Sequence, residues 1–296
     1  MNSAQHLRIQ GLLFCAVALI VTAISGLLPR LHAQDELMVM AFLILVLGVP
    51  HGALDTVFAQ NIYHVRSAKS WILFAAAYLT PAVLVIALWQ VSPILFVVSF
   101  LIISVVHFSG DPSQGTPAVT RFLYGGAVAI LPIFFHRVEL GELFALLVGS
   151  DAANLLLSWI EFLRWPWLIG LGLMALHRIT RDWLSGCEIA AVAILATLAP
   201  PLVAFTIFFC FMHSARHILR TIAAFKKRGP SRILSAALAP MLIILAFAAV
   251  VWSTLDSLPV DARIIQIVFV GLAALTIPHM GIVERVRLFG WENSDP

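Results

Sequence analysis

The stretch FFCFMHSARHILR, residues Phe208–Arg220, places two imidazoles four residues apart inside an apolar segment. A helix repeats every 3.6 residues, so His213 and His217 share one face. An ionisable side chain in a bilayer segment is costly and normally turns to the bundle interior, where it marks a functional site. Taken alone, the pair fits either metal ligation or a packing feature. Three further apolar segments also deliver histidines: GVPHGALD at His51, SVVHFSGD at His107 and TIPHMGIV at His279.

Across the 296 residues, 61% are hydrophobic and only 11% charged, with a mean hydropathy of +1.00. Such a chain is too apolar for a soluble domain and reads as a polytopic membrane protein. Its length holds about eight to ten spans of roughly 20 residues with short loops. The expectation is an all-α transmembrane helix bundle, one integral-membrane domain over 1–296. The net charge of +3 is explained by basic residues beside membrane spans, and no nucleic-acid partner is read from it. Cys15, Cys187 and Cys210 show no paired spacing and read as packing residues. The apolar run after Arg8 continues to about Leu28 without a small-residue cleavage site, so a first span is expected rather than a removed signal.

Spans are expected near 9–29, 37–60, 71–90, 93–110, 118–136, 152–177, 187–199, 202–220, 234–253 and 264–284. The sixth carries Glu161, Arg164 and the WPW at Trp165–Trp167, and reads alternatively as an interfacial helix followed by a short span starting near Pro166. With a cytoplasmic N-terminus, Arg8, Arg66, Lys69, Arg121, Arg178, Arg181, Arg216, Arg220, Lys226, Lys227, Arg228, Arg232, Arg285 and Arg287 fall on the inner side. Arg30, Arg137, Arg164 and Arg263 fall outside. This bias predicts an even number of crossings with both termini cytoplasmic. Four spans running inward then carry His51, His107, His213, His217 and His279 in their later halves, at comparable depth, so the imidazoles are expected to converge nearer the cytoplasmic face. His177, beside Arg178 and Arg181, reads as interfacial, and His6, His32, His64 and His136 carry no assigned role. Pro50 and Pro278 each precede a histidine, where a kink could aim the imidazole or simply reflect ordinary proline use in spans.

Imidazole ligands suit zinc, copper, iron and nickel. Asp55 and Asp111 each follow a histidine by four residues. Ligating histidines commonly donate their other ring N–H to a carboxylate, so HxxxD on two helices fits an outer partner for a metal ligand. Asp111, before Pro112, fits a helix-end loop residue equally well. No GxSxG elbow, Walker loop, Rossmann fingerprint or HExxH motif is present. Ser214 adjoins His213, but neighbouring helix residues point apart, and it reads as a small packing residue.

GVPHGALDTVF at Gly48–Phe58, SVVHFSGDP at Ser104–Pro112, FFCFMHSARHIL at Phe208–Leu219 and IPHMGIVERV at Ile277–Val286 closely resemble the Brp/Blh family of membrane β-carotene dioxygenases. The motifs fall in the family's order and span nearly the whole chain from the second helix onward. The chain departs from the family pattern in HFSGD, where Ser109 precedes the glycine and acid. The resemblance implies an integral-membrane oxygenase of the bacterial inner membrane that uses Fe(2+) and O2 to cleave β-carotene at its 15,15′ double bond, giving two retinal molecules. It implies iron ligation by His51, His107, His213 and His217, with His279 as a further ligand or supporting group and no cofactor beyond the metal. A carotenoid dissolved in membrane lipid is expected to enter through a gap between helices, and a retinal-accepting rhodopsin is a possible recipient of the product. Two other classes stay open on the residues: a lipid desaturase or hydroxylase, whose several HxxxH and HxxHH clusters are missing here, and a transporter whose intramembrane histidines carry protons or a metal.

Overall fold

The computed structural model describes residues 3–113 and 115–289, with the side chains of Lys227 and of 284–289 outside the description. The chain ends, expected in the cytoplasm, and the side chains of Arg285 and Arg287 therefore lie outside the described residues. The described chain is all helical. Its helices are α1 Ser3–Leu27, α2 Ala33–Ile62, α3 Ala68–Val91, α4 Pro93–Phe108, α5 Ala118–Phe135, α6 Arg137–Val148, α7 Ser150–Glu161, α8 Arg164–Ile179, α9 Trp183–Leu198, α10 Pro201–Ala224, α11 Pro230–Thr254 and α12 Val260–Val283. Among the described residues, seven of these are long and apolar enough to cross a membrane: α1, α2, α3, α5, α10, α11 and α12. Two apolar helices, α4 and α9, are shorter.

The stretch expected as one span over 152–177 is two helices, and a further helix, α6, precedes it. Gly149 at φ +82° turns the chain between α6 and α7, a conformation that disfavours residues with a Cβ. The chain turns again after Glu161, where Leu163 N–H bonds back to Ile160 O at 2.9 Å. Arg137 pairs with Glu161 at 2.8 Å and with Ser158 at 2.9 Å, fastening α6 to α7. At 1.5 Å per residue, α7 rises only about 18 Å, well short of a hydrocarbon core of about 30 Å. Pro166 stands in the first turn of α8, where its missing N–H is tolerated.

The main core joins α1, α5, α9 and α10 through fully buried Phe14, Tyr124, Leu131, Leu195, Phe208 and Met212. Helices α3 and α11 behave differently: only 6% and 11% of their apolar windows are buried. Helices this apolar with so little protein cover suit a lipid boundary.

Three of the arginines expected on the inner side make contacts within the protein. Arg216 is buried and ion-paired, and Arg220 and Arg121 donate into the loop after α4.

Candidate metal centre

Three helices leave regular α geometry close to the histidines. Ile44–Gly48 in α2, Phe208–Ser214 in α10 and Gln266–Val270 in α12 are π-helical turns. Such turns cost regular hydrogen bonding and concentrate at functional sites. The first lies just ahead of His51, the second contains His213, and the third lies in the helix that carries His279. At Gly48 the backbone passes so close to the Phe209 ring that a Cβ there would collide with it.

The structure brings all five expected histidines together, each buried. One ring nitrogen from each of His51, His107 and His279 lies within 4.8 Å of the others, a spacing that could hold a metal ion. The His213 ring centroid is 4.5 Å from that of His107 and 4.9 Å from that of His51. The His217 ring stands 5.2 Å from His279 and 5.6 Å from His51. His279, expected only as a ligand or a supporting group, is thus in the tightest trio. His6, His32, His64, His136 and His177 are outside the cluster, and His136 Nε2 instead meets Thr197 O at 3.1 Å.

Hydrogen bonds at the far nitrogens fix how three of these rings face the centre. His51 Nδ1 lies 2.6 Å from Gly48 O, and a carbonyl can only accept, so this nitrogen carries the proton. His213 Nδ1 donates to Asp111 at 3.0 and 3.1 Å, and His279 Nδ1 donates to Asp55 at 2.9 and 3.0 Å. Protonation at Nδ1 leaves the Nε2 lone pair for a metal. Consistently, Nε2 of His213 and of His279 are buried without a hydrogen-bond partner. Buried polar atoms are ordinarily satisfied, so these lone pairs suit an ion.

Both expected acids take part, with partners other than those their spacing indicated. Asp55 serves His279 rather than His51, and Asp111 serves His213 rather than His107. Asp55 lies on α2 one turn beyond His51, whereas Asp111 lies in the loop after α4, as its alternative reading had it; in both cases another helix presents the Nδ1 to the carboxylate. Ser214 also exceeds its packing role, because its Oγ lies 3.0 Å from His51 Nδ1. Tyr78, which the sequence did not single out, donates its hydroxyl to Asp55 at 2.8 Å.

The histidines open onto an apolar cavity of about 320 Å³. His51, His107 and His279 line it, together with Phe74, Tyr78 and Leu79 of α3 and Ile243 of α11. Leu79 and Ile243 are 54% and 69% exposed, so the cavity reaches the apolar outer surface between α3 and α11. Three of its hydroxyls are engaged: Thr56 and Thr276 bond to backbone carbonyls and Tyr78 to Asp55. A smaller cavity of about 70 Å³ shares the wall of Phe100, Ser104, Phe108 and Phe205.

Apolar helices of membrane-crossing length, a buried histidine cluster and an adjoining hydrophobic cavity together define a membrane-type helix bundle with an internal site able to hold a metal. The chain belongs to the beta-carotene 15,15′-dioxygenase family, whose model matches residues 42–286. It is similar to the beta-carotene 15,15′-dioxygenase of uncultured marine bacterium 66A03, with 28% identity over 255 residues that cover 82% of this chain and 91% of that protein. No solved structure matches. The matched region holds all five clustered histidines and both acids, whereas α1 precedes it.

Proposed function

We propose that this chain is an integral-membrane, iron(II)-dependent dioxygenase that cleaves β-carotene at its central 15,15′ double bond with O2, giving two molecules of all-trans-retinal. The observation that carries the reading is a cluster of five imidazoles, three of which (His51, His107 and His279) line an apolar cavity that reaches the outer surface. Family membership supports a carotenoid substrate.

His51, His107, His213 and His217 would hold the iron, with His279 as a further ligand or as a group placed beside it by Asp55. Iron(II), when bound, supplies the O2 chemistry, and neutral imidazoles suit it. Asp55 and Asp111 keep the Nδ1 protons of His279 and His213 in place, and their two negative charges offset a divalent cation in a low-dielectric interior. The phenyl and aliphatic walls bind the polyene and exclude water. The reaction balances without a proton or reductant: the C15=C15′ and O=O bonds break, and two aldehyde C=O bonds form.

We further propose one integral-membrane domain in the bacterial inner membrane with both termini cytoplasmic. The carotenoid enters from membrane lipid between α3 and α11, and retinal leaves for an acceptor such as a rhodopsin. The test is anaerobic purification, iron analysis and β-carotene turnover with and without O2. One iron per chain and two retinal per β-carotene consumed, only with O2, are expected. Iron-free protein with undiminished turnover would overturn the metal assignment, and products other than retinal would overturn central cleavage.

A further inference from the structure

We infer that Glu188, Arg216 and Gln10 form a buried brace that positions Asp111 against His213 and so sets the geometry of the metal centre; the inference rests on the proposed metal site. Arg216 on α10 is 4% exposed and Glu188 on α9 is 5% exposed. Arg216 donates to both Glu188 carboxylate oxygens, at 2.6 and 3.0 Å. Its Nε donates to Gln10 Oε1 on α1 at 2.8 Å, and Nη1 also donates to the backbone carbonyl of Asp111 at 3.2 Å. Gln10 Nε2 in turn donates to Phe211 O at 2.7 Å, inside the π-helical turn that carries His213.

One assembly therefore holds both sides of the Asp111–His213 hydrogen bond. Through Arg216 it grips the backbone of Asp111, and through Gln10 it grips the turn that aims His213. Arg220 adds donors to Gly110 O at 3.0 Å and Asp111 O at 2.8 Å. A guanidinium fixes direction through its planar fork, which an ammonium cannot do. Stability alone is a poor reason for burying this pair, because desolvation consumes much of the attraction and apolar replacements of similar size are often neutral or better. Geometry is the return: a metal ligand is held in place by what holds its hydrogen-bond partner. Arg216, Glu188 and Gln10 are positioning residues, since none belongs to the histidine cluster itself.

The test uses the purified full-length protein in detergent with cobalt(II) as the probe, reading affinity by titration and ligand geometry from the visible absorption bands. Arg216→Lys keeps the charge and loses the fork; cobalt affinity is expected to fall by about 10- to 100-fold, with shifted bands. Because one change alone strands a buried charge, the double variant Glu188→Leu, Arg216→Met removes both. It is expected to melt near the wild-type temperature yet show the same weakened, shifted cobalt site. Gln10→Leu keeps both charges, removing the acceptor for Arg216 Nε and the donor to Phe211 O, and is expected to shift the bands with a smaller loss of affinity. Wild-type affinity and bands in the double variant overturn the brace, and the same result in Gln10→Leu overturns it if the double variant does not fold. A wild-type protein that takes up no cobalt overturns the metal reading and the brace with it. Normal cobalt binding without retinal formation overturns the dioxygenase reading alone.

Discussion

The Asp55 carboxylate accepts the Nδ1 proton of His279 at 2.9 Å, joining residues 224 positions apart in the chain. Tyr78 donates to the same carboxylate from a third helix, so His279, Asp55 and Tyr78 form a continuous hydrogen-bonded row at the cavity wall. Removing the charge should loosen the site without erasing it. Asp55→Asn is expected to weaken iron binding by about 10- to 100-fold, the range for partners that orient metal ligands, and Tyr78→Phe by less. Wild-type iron content and turnover in both Asp55→Asn and Asp55→Ala would show that the carboxylate orients nothing.

Alanine at His51, His107, His213 or His217 removes a proposed ligand while leaving the apolar helix faces that pack the bundle. Each variant is expected to insert normally and lose iron and turnover, because packing in such bundles does not hang on one imidazole. His64→Ala, at an exposed position outside the cluster, is the control and should be near neutral. Retention of iron and full turnover by the His213→Ala, His217→Ala double variant would sink the metal site.

Leu79 and Ile243 stand on α3 and α11 where the cavity meets the outer surface. Tryptophan at either position narrows that mouth. kcat/KM for β-carotene should therefore fall in both variants, by hindered entry rather than by loss of fold. Iron content should stay at the wild-type level, since neither side chain touches a histidine of the cluster in the contacts described. Unchanged kinetics in both variants would place the entrance elsewhere.

Topology is testable with single cysteines in a background lacking Cys15, Cys187 and Cys210. Ser70 is a poor probe position because its hydroxyl completes a capping box with Ser67 at the start of α3. Lys69 is exposed beside it, and Asp256 is exposed after α11. Lys69→Cys should label from the cytoplasm and Asp256→Cys from outside, as the positive-inside bias predicts. Labelling of Asp256→Cys from within would overturn that orientation. With the orientation correct, a membrane-impermeant chelator should strip iron slowly from the cytoplasmic side and scarcely from outside.

The sequence made the helical class and the meeting of His51, His107, His213, His217 and His279 legible, because both follow from long apolar runs interrupted by costly polar residues. It did not make the pairing legible. Four-residue spacing linked Asp55 to His51 and Asp111 to His107, but the choice of partner depends on how neighbouring helices are rotated, which spacing within one helix does not encode. Arg216 carried a visible signal, an arginine between two histidines in an apolar segment, and so did Glu188 within the apolar run of α9. Each becomes intelligible only when the other is seen beside it. The turn after Glu161 was legible, since Pro166 already suggested an interfacial helix followed by a short span; what the span assignment missed was α6, which fills the interval between two expected spans and ends at the Gly149 turn. The π-helical turns leave no periodic signature in so short a window.

The last proposed ligand position arrives late. During synthesis His51, His107, His213 and His217 emerge in order, and α12 brings His279 only after every other helix has been made. Until then Asp55 lacks the imidazole it serves, and the tightest trio of ring nitrogens has only two members. On the proposed reading, a chain truncated before α12 keeps the four proposed ligands but lacks His279 and the partner of Asp55, and is expected to hold iron less firmly than the full chain.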